Sequence, residues 1–196
     1  MAIPSLTLDT NCIVAVAEGR PQATAVVDMA AAHRAGTADV ALVAISASER
    51  QLGNRKLENF IAFKERVGDL GLGHLRLLEP MFYFDITFWD YCIWSSDEME
   101  QLEQRIHEVL FQTIPFKWLD RAAQLGIDPN AGGVDWKWLN AKCDVQAFWA
   151  HTYHQRDVFV TSDANFHASS KREALIAIAG GRIERPESAT EWLATA

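Results

Sequence analysis

Two hydrophobic rhythms alternate along this chain, one of short apolar runs and one of apolar residues three and four apart. Residues 5 to 9, Ser-Leu-Thr-Leu-Asp, read as a short buried strand running into Thr10 and Asn11, both turn and cap residues. Beyond a loop at Gly19, Pro21 suits the first turn of a helix. Its apolar positions Val26, Val27, Ala30 and Ala31 recur at helical spacing, and Gly36 is its stop. Val40 to Ile45 is an unbroken apolar run of the kind buried on both faces in a parallel sheet. Ser46 to Glu49 has the capping-box spacing that opens a further helix.

The C-terminal third repeats the alternation. Val145, Phe148, Trp149 and Thr152 follow Asp144 at helical spacing, which places Asp144 at a helix start. Asp157 to Thr161 is the next strand, and Ser162 and Asp163 lie just beyond its end. Strands alternating with helices imply parallel pairing through right-handed crossovers. The expected fold is therefore α/β, a three-layer α/β/α sandwich with a central, mostly parallel sheet.

The middle of the chain is less regular. Met81 to Trp94 is rich in aromatic residues, and its periodicity fits a strand, a buried helix or a loop packed over the core. A helix from about Asp97 to Phe111 is better marked, with Leu102, Ile106, Val109 and Leu110 on one face. Gly126 to Gly133 reads as a surface loop, and no internal repeat is visible. With 196 residues, one domain over 1–196 is expected, with an enlarged helical and aromatic insertion at about 55–135.

Composition narrows the class. Hydrophobic residues make up 49% and charged residues 22%, as in globular proteins. The longest apolar runs are too short to span a bilayer, and no basic segment precedes a hydrophobic stretch at the N-terminus, so a cytoplasmic protein without a membrane partner is expected. Cys12, Cys92 and Cys143 form no C-x-x-C pair, which suggests buried thiols rather than disulfides or a zinc site. A net charge of −8 argues against a non-specific grip on a phosphate backbone through Lys and Arg. It is compatible with a site for divalent cations, which needs concentrated carboxylates and itself supplies positive charge to a phosphate.

Four acids stand where such a site would form. Asp9 and Asp163 end strands, and Glu49 and Asp144 lie in the first turns of the helices expected after a strand or loop. In open α/β sheets ligands bind beyond the carboxyl ends of the strands, so all four could face one crevice. Each also has a structural reading. Glu49 and Asp144 could complement helix dipoles, and Asp9 and Asp163 could be turn residues. His151 and His154 lack a partner at zinc spacing. Arg50, Arg55 and Lys56 could line a phosphate path or form a solvated helix face.

Leu6 to Asn11, Ala44 to Glu49, and Asp144 through Val158 to Phe166 resemble the PIN-domain family, over roughly the first fifty and last fifty residues. The resemblance implies that Asp9, Glu49, Asp144 and Asp163 are catalytic residues that hold Mg²⁺ or Mn²⁺. Thr10, Asn11, Thr161 and Asn165 are then candidates for supporting the ligands or positioning phosphate. It implies a metal-dependent ribonuclease that leaves a 5′-phosphate and a 3′-hydroxyl, with RNA as substrate. For toxin-like members it also implies an antitoxin protein as partner, and the family often forms homodimers. The interval between Glu49 and Asp144 is longer and more aromatic than in compact toxin-like members. A PIN-like module that binds or scaffolds without catalysis is the alternative. A phosphohydrolase forming an aspartyl-phosphate at Asp9, as in haloacid-dehalogenase-like enzymes, needs a second Asp two residues on, where Asn11 stands.

Overall fold

The computed structural model describes residues 3–48, 59–84, 86–130 and 133–193. Five short strands, β1 (Ser5–Leu8), β2 (Asp39–Val43), β3 (Arg76–Leu78), β4 (Val158–Val160) and β5 (Arg182–Glu184), form one sheet. Their order is β3-β2-β1-β4-β5, and every pairing is parallel. The fold is thus the expected α/β sandwich, with a wholly parallel sheet.

Successive strand residues point to opposite faces, and the sequence fills both with apolar groups. Leu6, Leu8, Val40, Leu42, Val158 and Val160 pack against a layer that includes α1 (Thr10–Glu18), α2 (Ala23–Arg34) and α3 (Phe60–Asp69). Ala41, Val43, Phe159 and Ile183 pack against the other layer, which includes α4 (Asp97–Leu110), α6 (Trp136–Tyr153) and α8 (Ser169–Ala179). Among the described residues, three further α-helices are shorter: α5 (Trp118–Leu125), α7 (Ala164–His167) and α9 (Pro186–Ala189).

Several boundaries differ from those expected. Helix α1 starts directly after Asp9, and Gly19 is its left-handed C-cap, at φ 62°, rather than part of a loop. The helix beginning near Pro21 starts at Ala23. Ser46 is buried in a 3₁₀ turn, Ala44–Ala47, that follows β2 directly, and the helix expected to open at Ser46 to Glu49 lies outside the described residues. Helix α6 starts at Trp136 behind the cap Asp135, so Asp144 lies mid-helix instead of at a start. The reason is burial. Twelve of the 18 residues of α6 are buried, Lys142 and Gln146 among them, so no polar stripe marks where the helix begins.

The aromatic segment takes the loop alternative. Its ends meet at a Met81–Ile93 bridge, where Phe82 N donates to Ile93 O (2.8 Å) and Ile93 N to Pro80 O (2.9 Å). The 55–135 interval also contributes β3 to the sheet, besides α3, α4 and α5. Cys12 and Cys143 are buried, and Cys92 is partly exposed.

Polar groups at the amino edge of the sheet are committed to structure. The buried Arg156 guanidinium donates to the Asp39 carboxylate, to Leu6 O (2.9 Å) and to Asp39 O (2.6 Å). Asp157 accepts from Ser5 N (2.8 Å) and Ser5 Oγ (2.6 Å). His151, sealed between Phe148 and Phe159, shares a 3.0 Å hydrogen bond with Thr7, and burial drives its pKa down to about 3. A neutral core histidine is its role. Among the described residues, no helix is long and apolar enough to cross a membrane.

Candidate functional site

The order of the sheet reverses at β1. The chain lays β2 and β3 on one side of it and then β4 and β5 on the other. After β1 it enters α1 in one helical layer, and after β4 it passes through α7 into α8 in the opposite layer. The two segments diverge and leave a crevice at the carboxyl ends of β1 and β4, where ligands bind in open α/β sheets. A cleft of about 400 Å³ opens there, lined by Asp9, Asp144 and Asp163 with Thr10, Asn11 and Arg20.

Asp9 is 3% exposed and is tied on every side. Its backbone N donates to Val160 O (3.0 Å), fixing the end of β1 to β4. One carboxylate oxygen caps α1 by accepting from Thr10 N (2.7 Å). The other accepts from Thr161 Oγ1 (2.7 Å) and Asn11 Nδ2 (2.5 Å). Asn11 Oδ1 in turn accepts from Ser162 N (2.9 Å) and Ser162 Oγ (3.0 Å), and Thr161 Oγ1 accepts from Asp163 N (3.1 Å). These bonds stitch the two strand ends together and hold the Asp9 carboxylate in one orientation.

Asp163 caps the short helix α7, with Oδ1 accepting from Asn165 N (2.9 Å). Asp144 reaches the cleft from the middle of α6. Thr10 Oγ1 lies 2.7 Å from Ser46 Oγ and so joins the segment after β1 to the turn after β2. Asn165 points elsewhere: its Oδ1 accepts from Lys171 Nζ (2.5 Å), which also donates to Leu110 O (2.7 Å). Glu49 falls outside the described residues, as do Arg50, Arg55 and Lys56. Arg20 and Ser162 were not singled out from the sequence. Arg20 follows a helix stop with nothing to mark it, whereas the position of Ser162 between Thr161 and Asp163 was a usable signal.

Asp9 and Asp163 do fill cap and turn roles, but a cap does not require a buried charge. Burial, helped by the nearby Asp163 charge and opposed by the hydrogen bonds from Thr161, Thr10 and Asn11, raises the Asp9 pKa to about 6. Three of the roughly four lone-pair sites of the carboxylate accept protein hydrogen bonds. A hard cation suits such a group, because it restores the charge complement that burial removed. Among the described residues, no group of three or more His, Cys, Asp or Glu stands close enough to hold a metal together. No protein-family model, curated protein or solved structure matches the chain.

The Asp9 pKa sets a pH dependence with a definite sign. An acid whose pKa rises from 3.8 to about 6 on folding binds its proton more tightly in the folded chain. That contribution is fully present below the unfolded value and is lost as pH rises through the folded one, a change of about 3 kcal/mol. In EDTA, urea melts from pH 4 to pH 7 should show wild type losing stability relative to Asp9→Asn by about that amount. Parallel pH profiles would mean that Asp9 ionises as it does in the unfolded chain.

Proposed function

We propose that this chain is a divalent-metal-dependent ribonuclease of PIN-like type. In this reading Asp9, Asp144 and Asp163, with Glu49, hold Mg²⁺ or Mn²⁺. The observation that carries the reading is that Asp9, Asp144 and Asp163 line one cleft, at the reversal point of a parallel sheet. The resemblance of Leu6 to Asn11 and of Val158 to Phe166 to PIN-family motifs supports it.

The residues divide the work as follows. Asp9 supplies a fixed, poorly solvated carboxylate whose orientation is set by Asn11 and Thr161. Asp144 and Asp163 supply further oxygen donors from α6 and the β4 end. A bound cation supplies Lewis acidity toward phosphate oxygen and lowers the pKa of water. Arg20, at the cleft and next to Glu18 (2.5 Å), brings a guanidinium to where a phosphate would enter. An antitoxin protein or a second copy of the chain as partner belongs to the same reading.

The test is cleavage of 5′-labelled single-stranded RNA by purified protein in Mn²⁺, Mg²⁺ or EDTA. Fragments ending in 3′-hydroxyl and 5′-phosphate, formed only with metal, are expected. Cleavage that persists in EDTA, or intact RNA in both metals, contradicts the reading.

A further inference from the structure

On the other side of α6 from the crevice chemistry, a second and larger cavity of about 890 Å³ opens between the aromatic loop, α4 and the start of α5. No described residue lines both spaces. Its walls include six aromatic side chains, Phe82, Tyr83, Phe84, Phe116, Trp118 and Trp138. The size falls in the range of about 300–1,000 Å³ usual for small-molecule sites, and an apolar wall with few polar groups is their usual lining.

The buried polar groups of Trp118, Trp138, Tyr83 and Lys142 in these walls are already paired. Trp118 Nε1 donates to Pro129 O (3.2 Å) and Trp138 Nε1 to Pro115 O (2.9 Å), and the two indole rings lie 5.6 Å apart. Tyr83 gives its hydroxyl proton to Glu103. The place a cation would take among these rings is filled by the protein itself. Lys142 Nζ stands 4.1 Å from the Phe116 ring centre, 4.7 Å from that of Tyr83 and 5.4 Å from that of Trp138. Its charge is matched by Glu103 at 2.9 Å, and among the described residues Lys117 and Glu100 add one of each sign to the lining.

We infer that this cavity is a binding site for a neutral, flat aromatic molecule of one or two fused rings. A cationic ligand would have to displace or repel Lys142. An anionic one would meet the Glu100 carboxylate beside the Lys117 ammonium and would find Lys142 already paired with Glu103. A neutral ring keeps the charge balance and gains the stacking faces and apolar burial that the walls present.

The test uses one ring in three charge states: 2-naphthol, 2-naphthoate and 2-naphthylmethylammonium, titrated calorimetrically at neutral pH into the full chain. Stoichiometric binding of 2-naphthol, tighter than either ion by roughly tenfold or more, is expected. Val134→Trp, which fills the cavity from its wall, and Phe84→Ala, which removes an exposed face, should each weaken naphthol binding, the former by roughly tenfold. Asp9→Asn should bind naphthol like wild type, which separates this site from the crevice. Absence of naphthol binding at millimolar concentration, an ion that binds as tightly, or full binding by a Val134→Trp protein with wild-type circular dichroism overturns the inference.

Discussion

Asp9→Asn is expected to lower metal-dependent RNA cleavage by roughly 1,000-fold without changing the far-UV circular dichroism. The substitution keeps the side-chain shape and deletes the charge at the most buried acid of the crevice. It also changes the hydrogen bonding. Asp9 accepts with both oxygens, and an amide nitrogen in place of the second would face the Asn11 amide donor and the Thr161 hydroxyl. Loss of charge and loss of orientation therefore act together in this variant. Asn11→Ala separates them, because it keeps the Asp9 charge and removes one of the groups that aim it. A loss of roughly 10–100-fold is expected there, the size usual for a group that orients a metal ligand. Initial rates on single-stranded RNA over a Mn²⁺ series measure both. An Asp9→Asn protein within a few-fold of wild type would remove Asp9 from the chemistry.

The second large effect is on stability. Lys142→Met is expected to destabilise the protein by about 3–5 kcal/mol in urea unfolding, the usual consequence of leaving a buried charge without its partner. The Lys142 and Glu103 side chains are 2% and 0% exposed, with Nζ 2.9 Å from Oε1. Burial pulls the Lys142 pKa down, and the Glu103 charge and hydrogen bond oppose that. Gln146 Nε2 also donates to Glu103 (2.8 Å), while Gln146 Oε1 accepts from Met81 N (2.9 Å). The network thus fixes α6 against α4 and against the start of the aromatic loop, and with α6 it fixes where Asp144 points. Adding Glu103→Leu to Lys142→Met should recover much of the loss, because no orphaned carboxylate remains. A double variant whose loss is the sum of the two single losses would show that the pair does not act as a unit.

How much of this was legible in the sequence follows from where each residue is buried. The parallel sheet was readable because residues 40 to 45 and 158 to 160 are apolar on both faces, as in a doubly covered strand, and alternate with helical spacings. Asp9 and Asp163 were readable as acids at strand ends, and both sit at the crevice. Helix α4 was readable within a residue of its C-terminal end because one face meets solvent and the other the core. Helix α1 was missed: after the Thr10-Asn11 cap signal, Cys12 to Ala17 are small or apolar without a polar stripe. The start of α6 was missed for a related reason, since its buried polar residues break the expected pattern while belonging to the core. Strands β3 and β5, three residues each, carry too little periodicity to stand out. The sequence neighbours of Asn165 point toward the chemistry, but within α7 its side chain faces Lys171.

The crevice is tested most directly by calorimetric titration of Mn²⁺ into the metal-free protein, beside the Asp9→Asn/Asp163→Asn double variant. Saturable binding by wild type at millimolar Mn²⁺, with a rise in melting temperature, is the expected result, and both should be absent from a double variant that remains folded. Equal binding by the two proteins, or no binding by wild type, would show that the acids at the ends of β1 and β4 do not form a cation site.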